Sequence, residues 1–579
     1  MGCRGIHIPG QANCLEHLSA AGQTSYFASL APGDDLDLRG TRISPLLLQQ
    51  ICNALRDPTS GQPRFGNVRF NSATFTGDAT FSLTTFTGSA RFRSATFTGD
   101  ATFSSATFTR SARFRSATFT GNTRFRSATF TGNTRFRSAT FTGDAGFDLA
   151  TFAGNAWFDS AAFTRDAWFD SATFTGDARF DSATFTRNAT FSSATFTRNA
   201  KFDSATFEGP HHLGPMRCDG DLTFDQTRFT GSQVTLEAAA AFISFRRSSL
   251  AGTAALRLRY ASVSLSGATF GAPVALQTWP APFKSSSGVL AEGPLATGSA
   301  ADVQLLDLEG VDSAQLVLTD VDLRRCRFNG AFHLDQIQVS LGCRFADTPT
   351  SWRRRGLVPL RWSRRKTIAE EHHWRALTNG ITAQGWTTGP AHPQAELTPG
   401  PDDLAGVYQR LRKAFEDAGD EPGAADFYYG EMEMRRNDPL RPRAERWLLW
   451  WYWLLSGYGL RASRALGWLL AAMATTVLVL LLVGLPNADP SPQISGTDQA
   501  GSVQLSTNTP DPSLTLPLGE RFTGARTEKA TLVVVNSVVF RSSGQNLTGW
   551  GTVVEMLSRI GEPVLLGLAA LAVRGRVKR

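Results

Sequence analysis

Four potential soft ligands fall within the first seventeen residues, Cys3, His7, Cys14 and His17, and thiolate with imidazole is a donor set that suits zinc. Their spacings form no C-x-x-C knuckle, so residues 1–64 read as a small capping module with unliganded thiols, and no metal or other cofactor is assigned. Further on, Glu370-Glu371-His372-His373 offers carboxylate and imidazole side by side, but adjacent residues on a helix point apart and do not converge on one ion. Arginines recur in pairs 22 residues apart, Arg91/Arg93, Arg113/Arg115 and Arg135/Arg137, a pattern that would suit phosphate. Glu555, Arg559 and Glu562 interrupt an apolar stretch at i, i+4, i+7 and so share one helix face. No nucleophile, base or phosphate loop stands at a usable spacing. No catalytic residue is assigned, and the chain reads as a non-enzyme.

The elements that must position these groups follow from an unusual aromatic usage, 41 Phe against 7 Tyr in 579 residues. From Phe70 to Phe207 the phenylalanines stand at alternating gaps of five and six, so the period is eleven: Ala-x-Phe-x-Ser-Ala-Thr-Phe-Thr-Gly-Asp/Asn, thirteen times, with 26 Phe in all. An α-helix cannot gather that alternation into one stripe, and a flat strand wants period two, so the chain must bend every few residues as a solenoid.

The unit resembles that of the pentapeptide-repeat family, with a central large residue and a small Ala two positions before it, as in Ala90/Phe92, Ala95/Phe97 and Ala117/Phe119. The resemblance implies a mainly β fold, a right-handed quadrilateral β-helix whose large and small positions face inward while the others face out. Two eleven-residue units would close one coil of 22, with turns expected at Gly77-Asp78, Gly99-Asp100 and Gly121-Asn122. About six coils stacked at roughly 4.8 Å would span about 30 Å. The unit decays beyond Gly209, and degenerate coils extend the β-helix to residue 345, giving a solenoid at 65–345 that is regular over 70–207.

Residues 22 apart would then share an outer face, so the six arginines form a basic interaction surface and Asp159, Asp181 and Asp203 a later acidic one. Residues 71–208 carry fourteen Lys/Arg and eleven Asp/Glu, and fourteen minus eleven is +3. This sign opposes the acidic DNA mimicry by which some pentapeptide-repeat proteins engage topoisomerase. A lack of exposed aromatics argues against nucleic acid as the partner. Paired Thr74/Thr76, Thr96/Thr98 and Thr118/Thr120 would form a hydroxyl ladder like that of ice-binding β-helices, or simply satisfy the β-propensity of Thr.

A basic Pro/Gly-rich linker is expected at 346–401, then an α-helical hairpin at 402–439 that resembles tetratricopeptide-like packing. Its stretch Gly423 to Arg436 is similar to segments that join pentapeptide repeats to membrane helices in bacterial, actinobacterial-like proteins. Residues 440–579 read as a two-span α-helical membrane segment. An interfacial helix at 446–460 carries Trp447, Trp450, Trp451 and Trp453; a span at 465–485 has no charge; a polar extracytoplasmic loop covers 487–528; a second span lies at about 549–573. Arg461, Arg464 and the basic tail place both termini in the cytoplasm of a bacterial inner membrane. Glu555, Arg559 and Glu562 would pair within the bilayer, favouring association of spans and a homo-oligomer. The layout resembles a degenerate two-helix potassium-channel-like pore module in which Arg541-Ser-Ser-Gly-Gln-Asn replaces a filter sequence. The expected function is a membrane-anchored scaffold that meets lipid and an unknown protein partner. The alternatives are a channel-like oligomer, and phosphate, nucleic-acid or topoisomerase binding by the β-helix surface.

Overall fold

Each 22-residue stretch of the repeat folds, in this computed structural model, as four two-residue strands: Thr74–Phe75, Ala79–Thr80, Thr85–Phe86 and Ala90–Arg91 make one turn. Each strand pairs in parallel with its counterpart one turn later, Thr74 with Thr96, Ala79 with Ala101, Thr85 with Thr107 and Ala90 with Ala112. Four parallel ladders result, and the longest separate one holds eleven strands. The structure describes residues 4–285, 288–297, 300–350, 352–355, 358–361, 363–379, 385–387, 398–487, 491–499, 502–508, 510–539 and 546–577. They form two units, Met1–Asp420 and Glu421–Arg579.

The β-solenoid interior is a stack of phenyl rings. Phe75 lies 4.5 Å from Phe97 with planes 1° apart, and Phe119 lies 4.9 Å from Phe141, again at 1°. Neighbouring columns meet edge to face, as Phe81 does with Phe92 at 5.9 Å and 80°. The Ala of each unit is buried beside them. Burying a Phe contributes about 2 kcal/mol before entropy is subtracted.

The chain bends at Gly77, Gly99 and Gly121 as expected, and a second kind of corner alternates with these. The residue in the left-handed region is the serine after Phe, with φ of 56° at Ser72, 54° at Ser94 and 55° at Ser105. A non-glycine there costs roughly 1–2 kcal/mol. It is held by two backbone bonds: Ala73 N–H donates back to Phe70 O at 3.1 Å, and Ser94 N–H donates to Arg115 O, one coil on, at 2.9 Å. At its own corner the repeat glycine also serves close approach, since a Cβ on Gly99 would stand 2.5 Å from the carbonyl carbon of Gly77. The Asp/Asn beside it accepts from the next coil, Asp78 Oδ1 from Asp100 N–H and Asp100 Oδ1 from Asn122 N–H, both at 2.9 Å. Nor are the Thr hydroxyls a free ladder: Thr98, Thr120 and Thr142 donate to Phe75, Phe97 and Phe119 carbonyls at 3.0, 2.8 and 3.1 Å.

The solenoid begins before the repeat and outlasts it. Leu36 pairs with Val68 and Ile43 with Phe75, so residues of the N-terminal module form the first rungs. Helix α1 (Ala20–Ala28) and helix α2 (Pro45–Ala54) flank them, α2 burying Leu47, Leu48 and Ile51 and capped by Ser44. Beyond Gly209 two strands lengthen, to His211–Thr223 and Gln233–Ser244, while one ladder continues from Phe207 through Phe229 and Leu250 to Phe270. The last bridge joins Asp322 to Arg344.

Residues read as a linker contain ordered elements, among them a strand pair, Ala346–Asp347 with Lys366–Thr367, and helix α3 (Ala369–Asn379). Helix α4 (Pro401–Asp417) follows. The second unit holds α5 (Glu421–Asn437), α6 (Arg443–Ser456), α7 (Ala462–Val479, continued by a π turn Leu480–Gly484), α8 (Gly524–Val539) and α9 (Gly549–Val577). The polar stretch between α7 and α8 carries an antiparallel hairpin, Gln493–Gln499 with Ser502–Asn508.

Two outcomes follow for stability. Phe119→Ala, which opens a ring-sized void in the stack, should cost about 3–5 kcal/mol in denaturant unfolding. His211 is buried, edge-on to Phe207, and its Nδ1 accepts from Ala189 N–H. Burial lowers its pKa to about 4. Because the folded value lies below the ordinary 6.5, its contribution is fully present above pH 6.5 and is lost as pH falls through about 4, by about 3 kcal/mol in all. Unfolding of wild type against His211→Gln across that window should show the difference.

Candidate functional site

Register decides which outward side chains meet. On one ladder Arg69, Arg91, Arg113 and Arg135 stand directly above one another, followed by Trp157, Arg179 and Lys201. Two residues along the chain, Arg93, Arg115 and Arg137 make a second column that turns to Asp159, Asp181 and Asp203. All six predicted arginines therefore share one face, at a strand spacing of about 4.8 Å.

The ends of this array are neutralised and its middle is not. Arg69 meets Asp37 at 3.3 Å, Arg137 meets Asp159 at 2.6 Å, and Arg179 bridges Asp159 and Asp181 at 3.3 and 2.7 Å. Among the described residues Arg91, Arg93, Arg113 and Arg115 make no ion pair. Burial, then Arg113 and Arg137, lowers the Arg135 pKa, the response expected of stacked like charges. The expectation that this face lacks aromatics is corrected. Trp157 continues the arginine column with the Arg135 guanidinium 4.6 Å above its ring, whereas Trp168 stands two strands further round the four-strand coil, on the opposite side. The 22-residue spacing from Arg135 to Trp157 was the available signal.

At the N-terminus Cys14 and His17 flank a 3₁₀ turn, Leu15–His17, with Cys14 Sγ 3.1 Å from His17 Nδ1. Glu16 joins them, the three ligand atoms lying within 4.8 Å of one another. Sequence reasoning missed Glu16. His7 is exposed and stands outside this group, and Cys3 lies outside the described residues. The five described cysteines are buried; burial pushes the Cys52 and Cys218 thiols up to about 12.

Glu370, Glu371, His372 and His373 are all buried on α3 and go to separate tasks. Glu370 Oε1 accepts the N–H groups of Phe328 and Asn329 at 2.5 and 2.9 Å, closing the solenoid's last turns. Glu371 is clasped by Arg365 at 2.6 Å and Arg375 at 2.7 Å and accepts the Tyr408 hydroxyl, which ties α3 to α4. Burial alone would raise the Glu371 carboxyl, but Arg365 and then Arg375 outweigh it and hold it at about 2. His372 Nε2 lies 2.9 Å from Thr367 Oγ1. Glu370 and His373 line a small cavity with Glu309, Arg327 and Asn329.

In the second unit Arg559 pairs with Glu555 at 2.7 Å within α9, whereas Glu562 accepts from Thr476 Oγ1 of α7 at 3.0 Å. Thr548 Oγ1 donates to Val483 O at 2.7 Å, serving a carbonyl of the π turn, and Gly551 packs on Gly484. Helix α8 packs Ala530, Val533 and Val534 against Leu480, Leu481 and Leu485. The filter-position segment 541–545 lies outside the described residues. Two helices, Ala462–Gly484 and Gly549–Arg574, are long and apolar enough to cross a membrane.

Comparison with known families matches residues 81–129, 125–173 and 158–206 to pentapeptide repeats (9 copies). No curated protein and no solved structure matches the chain.

Glu371→Gln removes the carboxylate that the buried Arg365 and Arg375 share, and the expected cost is about 3–5 kcal/mol. Urea unfolding of the full chain in detergent would measure it. Glu208→Gln, at an exposed carboxylate elsewhere, should leave the midpoint unchanged.

Proposed function

We propose that this chain, whose residues 81–206 match pentapeptide repeats, is a non-enzymatic scaffold anchored in a membrane by its two apolar helices. The solenoid is read as a right-handed quadrilateral coil that offers flat, regularly spaced outer faces to a protein partner, with the Arg91–Arg115 region as the docking surface. Both termini lie on the cytoplasmic side of a bacterial inner membrane, because Arg461, Arg464 and the basic tail flank the spans.

One observation carries the anchoring: the apolar side chains of both helices face outward. Leu470 is 66% exposed, Ile560 69% and Leu557 67%, and Leu466, Leu478, Val553 and Leu571 are exposed beside them. In water this would be an apolar surface far larger than soluble monomers carry. Hydrocarbon covers it at no cost, while Glu562 and Thr476 satisfy each other inward.

A second reading, a degenerate channel-like oligomer, draws on α8. This helix of sixteen residues sits between the two spans in sequence and packs on the end of the first. Potassium flux through liposomes loaded with purified protein would favour it. Phosphate, nucleic-acid or topoisomerase binding by the arginine face is the third reading, which Trp157 supports and the opposing Asp column weakens.

The full chain should sediment with membranes after alkaline washing and be released only by detergent. Capture from detergent-solubilised membranes should recover a partner that disappears when Arg91, Arg93, Arg113 and Arg115 are changed together to Glu. Release by alkali alone overturns the anchor; capture unaffected by the four substitutions overturns the docking face.

A further inference from the structure

We propose that the N-terminal module binds one divalent zinc-type cation through Cys14 Sγ, Glu16 and His17 Nδ1, as a structural ion that fixes the turn at residues 14–17.

The local backbone assembles the donors. Cys14 and His17 are i and i+3 across a 3₁₀ turn, the geometry in which side chains eclipse on one side. Their ligand atoms already meet at 3.1 Å, through Nδ1 rather than the outward Nε2. Glu16 Oε2 lies 4.0 Å from that nitrogen, and it is buried without a hydrogen-bond partner. An acceptor sheltered from water and left unused is costly, and a cation at this point would satisfy it.

The donor chemistry selects the ion. One thiolate, one imidazole and one carboxylate suit zinc, whereas calcium and magnesium take oxygen alone. On loading, the Cys14 thiol releases its proton to solvent, and thiolate plus carboxylate then balance the two positive charges. The net site is neutral, which fits a thiol that is 3% exposed. Three protein donors leave a fourth position of the tetrahedron for water or a further ligand.

The position of the cluster gives the ion its task. Ile6 N–H donates to Arg39 O at 3.0 Å, and a Cβ on Gly5 would touch Cys14 Cβ at 2.8 Å and Thr41 Oγ1 at 3.0 Å. Arg42, whose neighbour Ile43 pairs with Phe75, reaches Glu16 at 3.9 Å. An ion here would therefore fix the turn at residues 14–17 next to Arg42 and the strand that starts the phenylalanine stack.

The test uses the full chain purified in detergent without chelator, with zinc measured by plasma mass spectrometry and cobalt as a spectroscopic probe. About one zinc per chain is expected, together with a thiolate-to-cobalt charge-transfer band after exchange. Cys14→Ser should abolish the band, and His17→Ala and Glu16→Gln should each weaken cobalt binding by roughly tenfold or more. His17 is exposed, so His17→Ala stays informative even if Cys14→Ser misfolds. His7→Ala is the control and should bind as wild type does. A wild-type chain that takes up neither metal overturns the proposal. So does metal content that Cys14→Ser and His17→Ala both leave unchanged.

Discussion

The stacking of each phenyl ring on the ring 22 residues earlier is the constraint from which the rest of this molecule follows. Rings 4.5–5.0 Å apart, as in Phe75 on Phe97 and Phe163 on Phe185, match the spacing of parallel strands, so side-chain stacking and backbone pairing reinforce one register. A slip of one residue would move every ring to the outer surface. The strained serine at each corner is tolerated because both its neighbours are locked into this register. The glycine is required because the corners of successive coils otherwise collide. The solenoid therefore has no freedom to relax locally, and what it presents outward is fixed by sequence position modulo 22.

The two ends of this stack need different solutions. The first rungs are supplied by residues 36–43, outside the repeat, and are covered by α2. The far end leaves N–H groups unpaired, and the Glu370 carboxylate takes two of them. A carboxylate is a strong acceptor for such groups, but burying it requires a rigid support. Glu371, one residue on, supplies this by drawing Arg365, Arg375 and Tyr408 into one network. The second unit faces the opposite problem: its long helices expose apolar side chains, and its few polar groups turn inward toward each other.

What was legible in the sequence was what repeats. The eleven-residue period, the inward Phe and Ala, the shared arginine face and both apolar helices could be read directly, because each is a periodicity that one segment carries by itself. Unread features depend on a partner remote in sequence. The roles of Ser94 and Gly99 follow from the coil above and below, not from the turn itself. Trp157 joins the arginine face only through its register with Arg135. The α3 network needs Tyr408, and the pairing of Glu562 with Thr476 crosses 86 residues. Glu16 was passed over because a carboxylate beside a Cys and a His looks ordinary until a 3₁₀ turn folds it against them.

Register also explains why the outer charge changes sign where it does. Like charges directly opposite on adjacent strands repel, and a sequence repeat of 22 places like upon like by construction, so a charged column becomes less favourable with every added coil. The chain ends both arginine columns in one turn: Trp157 follows four arginines in one and Asp159 follows three in the other. Arg135 then stacks on an aromatic ring and Arg137 pairs with a carboxylate. Asp159 bonds in turn to Arg179 on the next turn, so the acidic column begins neutralised. Within these two columns and among the described residues, Arg91, Arg93, Arg113 and Arg115 are left without an ion pair, two coils deep and two columns wide. Register therefore sets both where these four arginines gather and where their columns are relieved, by a ring against Arg135 and a carboxylate beside Arg137.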